Sequence, residues 1–583
     1  MMLKQALLAA VAAVALVSRA GDPPPDRVNH PFTRAYVKAT LNRDYPSFYK
    51  CGEEIVLTYS FENVKGKIDP NRYIVYEWVD HDGDNPPKPF RTFVPEAGKT
   101  YEARTKLEHP GVVRFWVEVW DKVLDVKLSR SDCHGRAVRV FKTCFVEPEK
   151  MQSVPEPADY DAFWKRHREI LDKVPMNAKL EKASGGADKT VYKLHLDCAG
   201  PAPVTGYISI PAKPGKYPAH LVTDGFGGPF TGSGAQSGCQ FANPNEIVIH
   251  INAHGYELGR DKQYYIDFMK NASLHGYQLV QTKDEKLANE IRQRNADPET
   301  CYFAGMTWRI MRALDYVKTR PEWNGKDLYA TGVSQGGLQT IWAAALDPQV
   351  TWSSVQVPWS CEFGGRETLH RVPCRLLFGE TPAMRYYDPV NMAKRIKGSF
   401  DIARAGLADY TSPPSGIQVF YNNLKCPKRV IWYDRMEHKQ MPFIRHRFFE
   451  ETDRLNELIT GVPEGRWTLV ESGKDAKTGE GGFVDVKRLP DGHYAVKFGR
   501  PGAKAVDFSD PRYEADVNAS AGHLTIRYRS DDGAKDLPFE ETKTTIVKFT
   551  PQIDGSLRGS LQTWWGNEGY VNGIENVSIK GTR

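Results

Sequence analysis

Apolar and polar residues alternate with a period of two in the first part of the chain. Such alternation, with β-branched and aromatic residues at the apolar positions, predicts half-buried strands. Turn signals such as Pro110-Gly111 separate these segments, and no helical period intervenes. The pattern therefore predicts an immunoglobulin-like β-sandwich over residues 28–146. Its clearest apolar positions are Ile55, Leu57, Tyr59 and Phe61, followed by Val113, Phe115, Val117 and Val119.

The pattern changes over residues 155–462, where short apolar strands alternate with helical stretches. An amphipathic helix starts near Phe163-Trp164, and a longer helix over 301–319 has one apolar face and ends before Pro321. Alternation of strands and helices indicates a mostly parallel sheet covered by helices, which is the α/β class. The predicted strands are 219–223, 247–252, 328–331, 353–357, 400–405 and 429–433.

Period-two segments return over residues 466–583, with Gly and Asp turns between them. They predict a second β-sandwich, and carbohydrate binding is its candidate function. Because exposed aromatic side chains can stack on sugar rings, the candidate binding residues are Trp564, Trp565 and Tyr570. The alternative is that one tryptophan lies in the core while the other covers the surface.

The first 20 residues have the pattern of a secretory signal peptide. Lys4 supplies the positive charge, residues 6–17 are apolar, and Ser18-Arg19-Ala20 offers small residues for cleavage. A membrane anchor is the alternative, but an apolar run of about twelve residues is shorter than the ~20 that span a bilayer. We therefore expect a secreted or periplasmic protein without a transmembrane segment.

Composition and charge narrow the classes of function. A chain of 583 residues is long enough for several domains, and its 40% hydrophobic and 26% charged residues are typical of globular proteins. A net charge of only +6 gives no indication of a nucleic-acid partner. The nine cysteines show no CxxC spacing, which argues against a zinc site. Either Cys51 pairs with Cys133 or Cys144, or the cysteines are buried free thiols.

Ser334 lies in the segment Gly332-Val333-Ser334-Gln335-Gly336, between a predicted strand and a predicted helix. In this context G-x-S-x-G is typical of a nucleophile elbow, where a strained backbone lifts the serine Oγ clear of an α/β-hydrolase sheet. Glycines let strand and helix approach closely, and the helix N-terminus favours a developing negative charge. Ser334 is therefore the predicted nucleophile.

A serine nucleophile needs a base, and in α/β-hydrolases the acid and then the histidine follow the serine along the chain. His438 comes directly after the predicted strand 429–433, where this fold places its catalytic histidine. The predicted base is therefore His438. The other histidines after the serine are His370, in a stretch typical of an inserted lid, His446, in a predicted helix, and His493 and His523, in the C-terminal β region.

Asp409 is the predicted acid, because it follows the strand 400–405 in a turn from which it can orient the histidine. Three other aspartates are less well placed. Asp388 has the position of a helix-start residue before Pro389, Asp401 begins its strand at the wrong end, and Asp434 lies in the histidine loop.

The predicted oxyanion hole consists of two backbone N–H groups. One belongs to Gln335, the residue after the nucleophile, as the elbow geometry requires. The other belongs to Phe226, in the glycine-rich loop that follows the strand 219–223.

Residues 157 to 446, about half of the chain, resemble the acetyl xylan esterase and cephalosporin-C deacetylase family, carbohydrate esterase family seven. The resemblance is most specific at the elbow and at the acid loop, Gly406-Leu407-Ala408-Asp409. The chain departs from the family pattern at Asn252-Ala253-His254-Gly255, where Arg-Gly-Gln is usual, and at Lys439, where glutamate is usual. Other similar segments are Gly225-Phe226-Gly227-Gly228, Arg312-Ala313-Leu314-Asp315-Tyr316, Arg320-Pro321-Glu322, Ala344-Ala345-Leu346-Asp347-Pro348, Val357-Pro358, Cys361-Glu362-Phe363 and Pro413-Pro414-Ser415.

This resemblance implies an α/β-hydrolase core that needs no metal or organic cofactor. It also implies small acetylated sugars, such as acetylated xylo-oligosaccharides, or other small acetyl esters as substrates, and it allows a homo-oligomer. The β regions at both ends are not part of the family core.

The leading hypothesis is a secreted serine carboxylesterase that removes acetyl groups through an acetyl-enzyme intermediate. One alternative is a polysaccharide-binding protein with a vestigial hydrolase domain, which the presence of Ser334, Asp409 and His438 disfavours. The other is a peptidase of the same fold, which the similarity around the acid loop disfavours.

Overall fold

The computed structural model of the protein describes most of the chain after residue 30. The predicted signal peptide over residues 1–20 lies outside the described residues. Among the described helices, none combines the length and the apolar character needed to cross a membrane. The described residues are 31–32, 35–43, 47–81, 89–123, 125–128, 139–225, 239, 244–252, 254–274, 285–359, 361–363, 365, 381–433, 436, 438, 447–453, 464–473, 482–490, 494–500, 505–507, 515–520, 523–530, 543–551, 556–565 and 573–582.

Two sheets share one hydrophobic cluster in the N-terminal region. Their strands are β1 (Tyr36–Leu41), β2 (Phe48–Tyr49), β3 (Ile55–Glu62), β4 (Tyr73–Asp80), β5 (Pro89–Phe93), β6 (Thr100–Thr105), β7 (Gly111–Asp121), β8 (Val126–Lys127) and β9 (Arg139–Val146). One sheet has the order β1-β3-β6; the other has the order β2-β9-β7-β4-β5, with β8 paired to β7. The predicted alternation in β3 and β7 is confirmed, because all eight of its apolar positions are buried in the shared cluster. The immunoglobulin-like assignment stays a prediction.

A ten-stranded mixed sheet forms the centre of the described chain. Its strands are β10 (Lys179–Gly185), β11 (Lys189–Leu196), β12 (Val204–Pro211), β13 (Tyr217–Thr223), β14 (Ile247–Ile251), β15 (Trp323–Val333), β16 (Trp352–Gln356), β17 (Ser399–Gly406), β18 (Lys428–Tyr433) and β19 (Arg447–Asp453). The order is β10-β11-β12-β14-β13-β15-β16-β17-β18-β19. The six strands from β14 to β18 in this order run parallel. They coincide with the six predicted strands, so the α/β class is confirmed.

Helices cover this sheet. They are α1 (Tyr160–Asp172), α2 (Lys262–Leu274), α3 (Glu285–Arg294), α4 (Tyr302–Lys318), α5 (Gln335–Leu346), α6 (Met384–Tyr387), α7 (Pro389–Met392) and α8 (Pro414–Asn423), with 3-10 turns at Pro148–Lys150 and Ala393–Arg395. The predicted long helix is confirmed as α4. Its apolar face joins the central core, and Trp308 Nε1 ties α4 to α1 by donating a hydrogen bond to the carbonyl of His167 (2.8 Å).

The edges of the central sheet differ from the prediction. The helix expected around His446 is wrong, because Arg447–Asp453 forms the edge strand β19, antiparallel to β18; His446 itself lies outside the described residues. Pairing with a neighbouring strand here overrides the local pattern, as it often does at sheet edges. At the other edge, β10, β11 and β12 form an antiparallel meander that the sequence pattern did not indicate in full.

Nine antiparallel strands follow the central sheet. They are β20 (Gly465–Ser472), β21 (Gly482–Arg488), β22 (Tyr494–Gly499), β23 (Val506–Asp507), β24 (Ala515–Ser520), β25 (His523–Ser530), β26 (Lys543–Pro551), β27 (Leu557–Trp565) and β28 (Gly573–Thr582). They lie on one hydrogen-bonded path, β23-β22-β21-β20-β28-β27-β26-β25-β24, and enclose their own hydrophobic cluster. The second β-sandwich stays a prediction. Trp564 and Trp565 end β27, whereas Tyr570 lies outside the described residues.

The N-terminal region and the central sheet share hydrophobic core. Val112 and Phe145 belong to the cluster that fills the central region. The ring of Phe145 meets that of Trp432 on β18 edge to face, with 5.2 Å between the ring centroids. Asn422 Nδ2 of α8 also donates a hydrogen bond to the carbonyl of Pro148 (2.8 Å).

Cys51 and Cys144 do not form a disulfide. Both are free thiols: Cys51 Sγ donates to Glu147 Oε2 (2.9 Å), and the buried Cys144 Sγ faces the carbonyl of Val113 (3.8 Å). Of the alternatives given above, the pairing of Cys51 with Cys144 is therefore wrong. Cys133 lies outside the described residues.

Candidate active site

Ser334 lies at the sharp junction between β15 and α5. Its backbone has φ 59° and ψ −118°, a conformation that a non-glycine residue adopts only when its surroundings hold it. Here the N–H of Ser334 donates to the carbonyl of Gln356 (2.9 Å), and its own carbonyl accepts from the N–H of Trp359 (3.1 Å). The neighbouring strand β16 and the loop after it therefore fix the strained residue from both sides.

The two glycines of the elbow have no room for a side chain. A Cβ at Gly332 would lie 2.3 Å from the carbonyl oxygen of Gly336, and a Cβ at Gly336 would lie 2.3 Å from that of Thr223. Such distances are far below van der Waals contact. The glycine spacing in the sequence thus has the physical cause expected of it, which is the close approach of helix and strand.

The hydroxyl of Ser334 contacts the imidazole of His438. Ser334 Oγ lies 2.7 Å from His438 Nε2, although 104 residues separate them in the sequence. His438 follows β18, and its side chain is 15% exposed. The described structure therefore brings together the predicted nucleophile and the predicted base at hydrogen-bonding distance.

Asp409 holds the opposite side of the same imidazole. Its Oδ2 lies 2.8 Å from His438 Nδ1, and the residue is fully buried. Its Oδ1 accepts hydrogen bonds from the backbone N–H groups of Thr411 and Ser412 (2.8 Å each). Because the loop occupies one oxygen of the carboxylate, the other oxygen is left for the histidine.

The contacts of His438 with Asp409 and Ser334 determine which tautomer of the imidazole is present. A carboxylate can only accept, so His438 Nδ1 carries the hydrogen and donates it to Asp409. The lone pair of Nε2 then points at Ser334 Oγ and can take its proton. Asp409, His438 and Ser334 can thus act as acid, base and nucleophile in acyl transfer.

The predicted oxyanion hole is described only in part. Gln335 is buried and is the first residue of α5, so its N–H belongs to the positive end of a helix. Phe226 lies outside the described residues. The chain leading to it passes close to the elbow, since a Cβ at Gly225 would lie 3.1 Å from the carbonyl of Val333 and 3.8 Å from Ser334 Cβ.

The sequence profile of the acetyl xylan esterase (AXE1) family matches residues 147–371 and 381–452, just over half of the chain. The chain belongs to the acetyl xylan esterase family. It is therefore an esterase with an α/β-hydrolase core, as the sequence resemblance predicted.

Individual relatives are distant from this esterase. It is 25% identical over 326 residues to the acetyl esterase Axe7A of Xylanibacter ruminicola, a match that covers 54% of this chain and 70% of that protein. The solved acetyl xylan esterase from Paenibacillus sp. R4 is 21% identical, with a TM-score of 0.40, over 51% of this chain and 95% of its own. Acetyl xylan esterase 1 from Thermoanaerobacterium sp. JW/SL YS485 is 20% identical, with a TM-score of 0.39. The match covers 50% of this chain and 92% of that structure.

Two of the three competing aspartates, Asp388 and Asp401, have structural partners in the described part of the chain. Asp388 caps α7, where its Oδ1 accepts from the N–H of Val390 (3.0 Å) and its Oδ2 accepts from that of Phe363 (2.7 Å). Its expected position as a helix-start residue is confirmed. Asp401 forms a buried ion pair with Arg429 (2.8 and 2.9 Å). Asp434 lies outside the described residues.

Sequence reasoning missed two side chains that support the site. Ser412 Oγ lies 3.5 Å from His438 Nδ1 and donates to the carbonyl of Val357 (3.1 Å), so it braces the acid loop. Gln339 Nε2 donates to the carbonyl of Asp224 (3.1 Å), which ties α5 to the start of the predicted oxyanion loop. The available signal for the role of Gln339 was a polar side chain next to the apolar half of α5, Ile341 to Leu346.

The segment that departs from the family pattern is a buried polar cluster. Asn252 Oδ1 accepts from the N–H groups of His254 (3.0 Å) and Tyr256 (3.2 Å), and His254 Nδ1 lies 2.9 Å from the hydroxyl of Tyr302. Burial and then the positive charge of Arg309 lower the pKa of His254 to about 3. The imidazole is therefore neutral in the folded esterase at neutral pH.

No group of three or more His, Cys, Asp or Glu side chains that could hold a metal ion occurs within the described part of the chain. The independence from metal and organic cofactors stays a prediction.

Proposed function

We propose that this esterase removes acetyl groups from acetylated xylo-oligosaccharides or other small acetyl esters through an acetyl-enzyme intermediate. Ser334 acts as nucleophile, His438 as base and Asp409 as acid. The observation that carries the proposal is the hydrogen-bonded series from Ser334 Oγ through His438 to Asp409, with contacts of 2.7 and 2.8 Å. Membership in the acetyl xylan esterase family supports the same reaction.

The reaction proceeds in two steps. As Ser334 Oγ attacks the acetyl carbonyl carbon, His438 Nε2 takes the hydroxyl proton and later delivers it to the departing sugar oxygen. The acetyl group is then bound to Ser334 as an ester. His438 next takes a proton from a water molecule, whose oxygen attacks the acetyl-enzyme, and the proton returns to Ser334 as acetate leaves.

Asp409 and the helix N-terminus lower the energies of the charged states. The carboxylate of Asp409 keeps Nδ1–H pointing towards itself and stabilises the imidazolium that forms in each step. The N–H groups of Gln335 and Phe226 are the proposed donors to the tetrahedral oxyanion. Such donors contribute most when they are fixed before the reaction, and the first turn of α5 is a buried, helical position.

The cellular and domain assignments are also proposals. The pattern of residues 1–20 supports export to the periplasm or the medium. We propose a division into residues 28–146, 155–462 and 466–583, with the last region as a sugar-binding module that uses Trp564, Trp565 and Tyr570. Oligomer formation and a polysaccharide partner follow from the family resemblance alone.

The alternatives are less well supported. A vestigial hydrolase has no need to keep a nucleophile, base and acid in hydrogen-bonded order, so the geometry favours an active enzyme over a purely polysaccharide-binding protein. A peptidase of the same fold is disfavoured because the matched family is one of acetyl esterases.

Substitution of the nucleophile tests the proposal. Ser334→Ala is expected to reduce turnover of p-nitrophenyl acetate, and acetate release from acetylated xylo-oligosaccharides, by at least ~10⁴-fold. Ser354→Ala is the matched control, because Ser354 is a half-buried serine on the adjacent strand β16 that bonds to Asp401 (3.2 Å). Both variants should melt cooperatively. Retention of more than a few per cent of wild-type activity by Ser334→Ala would disprove the assignment.

A further inference from the structure

The N-terminal sheet reaches into the loop that carries Asp409. Thr143 on β9 donates a hydrogen bond from its Oγ1 to the backbone carbonyl of Leu407 (2.8 Å), and both residues are buried. Leu407 precedes Asp409 by two positions. A side chain outside the proposed catalytic domain therefore bonds directly to the backbone of the acid loop.

The residue after the acid is held by the same sheet. The ring of Tyr410 meets that of Trp116 on β7 edge to face, with 5.5 Å between the centroids. The Arg114 guanidinium lies 4.5 Å from the centre of the Tyr410 ring, a cation–π contact. Arg114 in turn forms a buried ion pair with Asp80 on β4, in which its Nε donates a hydrogen bond to Asp80 Oδ2 (2.9 Å).

The other side of the acid loop rests on the central sheet. The N–H of Leu407 donates to the carbonyl of Tyr433 at the end of β18 (3.1 Å), and the N–H of Ala408 donates to that of Met436 (3.1 Å). The loop thus lies between the strand that leads to His438 and the N-terminal sheet. Removal of either support would allow Asp409 to shift relative to the imidazole.

The contact between the two regions is continuous with the core. Phe145, two residues after Thr143, packs on Trp432, and both are fully buried in one cluster. Interfaces between domains in one chain are commonly polar and allow relative motion. Here the interface instead shares the buried aromatic residues Phe145 and Trp432 with the central core. It therefore holds the N-terminal sheet in one position relative to the acid loop.

We infer that Thr143, Trp116 and Arg114 are positioning residues for the reaction: the N-terminal sheet holds the 407–410 loop so that Asp409 can orient His438. The inference rests on the proposed roles of Asp409 and His438. The N-terminal sheet is then part of the active-site architecture, rather than an accessory module beside it.

Kinetics of the full-length protein test the inference. Thr143→Val keeps the shape of the side chain but removes the hydroxyl, and it should lower kcat by roughly ten- to a hundredfold, because small misplacements of catalytic groups cost that much. KM for p-nitrophenyl acetate should change less than about twofold, and Thr143→Ser should restore kcat. Trp116→Leu, a second variant on a different contact, should lower kcat in the same way.

Trp120→Leu is the matched control. Trp120 lies on β7 like Trp116 and is half-exposed like it, but its ring packs on Tyr76 and its Nε1 bonds to Glu118. Its substitution should leave kcat within about twofold of the wild type. If Thr143→Val and Trp116→Leu are as active as Trp120→Leu, the inference is wrong.

A double-mutant cycle separates positioning from general destabilisation. In the Asp409→Asn background the carboxylate that holds His438 in its reactive tautomer is already absent, so Thr143→Val should cause no further loss of kcat. Equal fold losses in both backgrounds would overturn the inference. Failure of the proposed function would look different: Ser334→Ala would then stay active, whatever the Thr143 variants do.

Discussion

Asp409 and His438 meet through one defined pair of atoms, Oδ2 and Nδ1, because the backbone of the acid loop already occupies Oδ1 of the carboxylate. The carboxylate of the fully buried Asp409 therefore cannot exchange its two oxygens without breaking the two hydrogen bonds from the loop N–H groups. The two loop N–H groups therefore determine how the side-chain amide of Asp409→Asn would be oriented.

Asp409→Asn is expected to lower kcat by ~10⁴-fold while the protein stays folded. The two loop N–H groups need an acceptor, so the amide oxygen will face them and the NH2 group will face His438. The imidazole must then accept at Nδ1 and carry its hydrogen on Nε2, where it cannot take the serine proton. Steady-state kinetics with p-nitrophenyl acetate provide the measurement.

Asp388→Asn is the control for this variant. Asp388 is also buried and also accepts two backbone N–H bonds, but these cap α7 and hold Phe363. It should lower the melting temperature and leave kcat nearly unchanged. An equally inactive Asp388 variant that is still folded would contradict the placement of the acid.

Acid should destabilise this esterase through His254. The pKa of the imidazole is near 6.5 in an unfolded chain and about 3 in the folded protein, so between these values protons bind preferentially to the unfolded state. The free energy of unfolding therefore falls as the pH is lowered through this window, by about 2 kcal/mol from pH 7 to pH 5 for this one residue.

His254→Gln should show a smaller decrease in stability between pH 7 and pH 5 than the wild type, even if it is less stable at both. Urea unfolding at the two pH values measures this difference. If His254→Gln keeps the wild-type pH dependence of stability, the acid sensitivity has another origin.

Gly336→Ala should impair both stability and turnover. The new Cβ would lie 2.3 Å from the carbonyl oxygen of Thr223, so α5 must move away from β13 and carry the elbow with it. Overpacking of this kind typically costs about 1–3 kcal/mol. Gly186→Ala, where the nearest atom would be 4.0 Å away, should have little effect on the melting temperature or on kcat. Wild-type kcat in Gly336→Ala would show that the elbow tolerates this displacement.

Truncation after Pro463 should preserve hydrolysis of small esters. Among the described residues, the hydrophobic cluster of the last nine strands begins at Trp467, and the proposed catalytic residues all precede it. The truncated protein, checked by a cooperative melt, should match the full-length protein on p-nitrophenyl acetate and lose activity only on acetylated xylan. Loss of small-ester activity in a folded protein would place the C-terminal region in the active site.

The centre of the fold and the order of the site residues could be predicted from the sequence. The parallel strands are short segments that alternate with helical stretches, and the elbow places Ser334 directly after one of them. The positions of His438 and Asp409 then follow from those of two later strands. The edge strand β19 could not be found in this way, because its charged, aromatic sequence forms a strand only by pairing with β18.

The support of the acid loop by Thr143 could not be predicted from the sequence either. Both faces of the second half of β9 are buried, with Cys144 and Val146 in the N-terminal cluster and Phe145 in the central one. Periodicity does not show which part of the chain covers each face. Thr143 is one of many threonines in the sequence. Only the packing of the N-terminal sheet on β18 brings its hydroxyl to the carbonyl of Leu407.

The shared core has a consequence for synthesis of the protein on the ribosome. Thr143 precedes Leu407 by 264 residues, so at ~5–20 residues per second the N-terminal sheet waits roughly 10 to 50 s for its partner. During that time Val112 and Phe145 lack the part of their hydrophobic cluster that the central sheet, including Trp432 on β18, provides. We therefore expect incomplete chains that end before β18 to expose this surface and to aggregate more readily than the full-length protein.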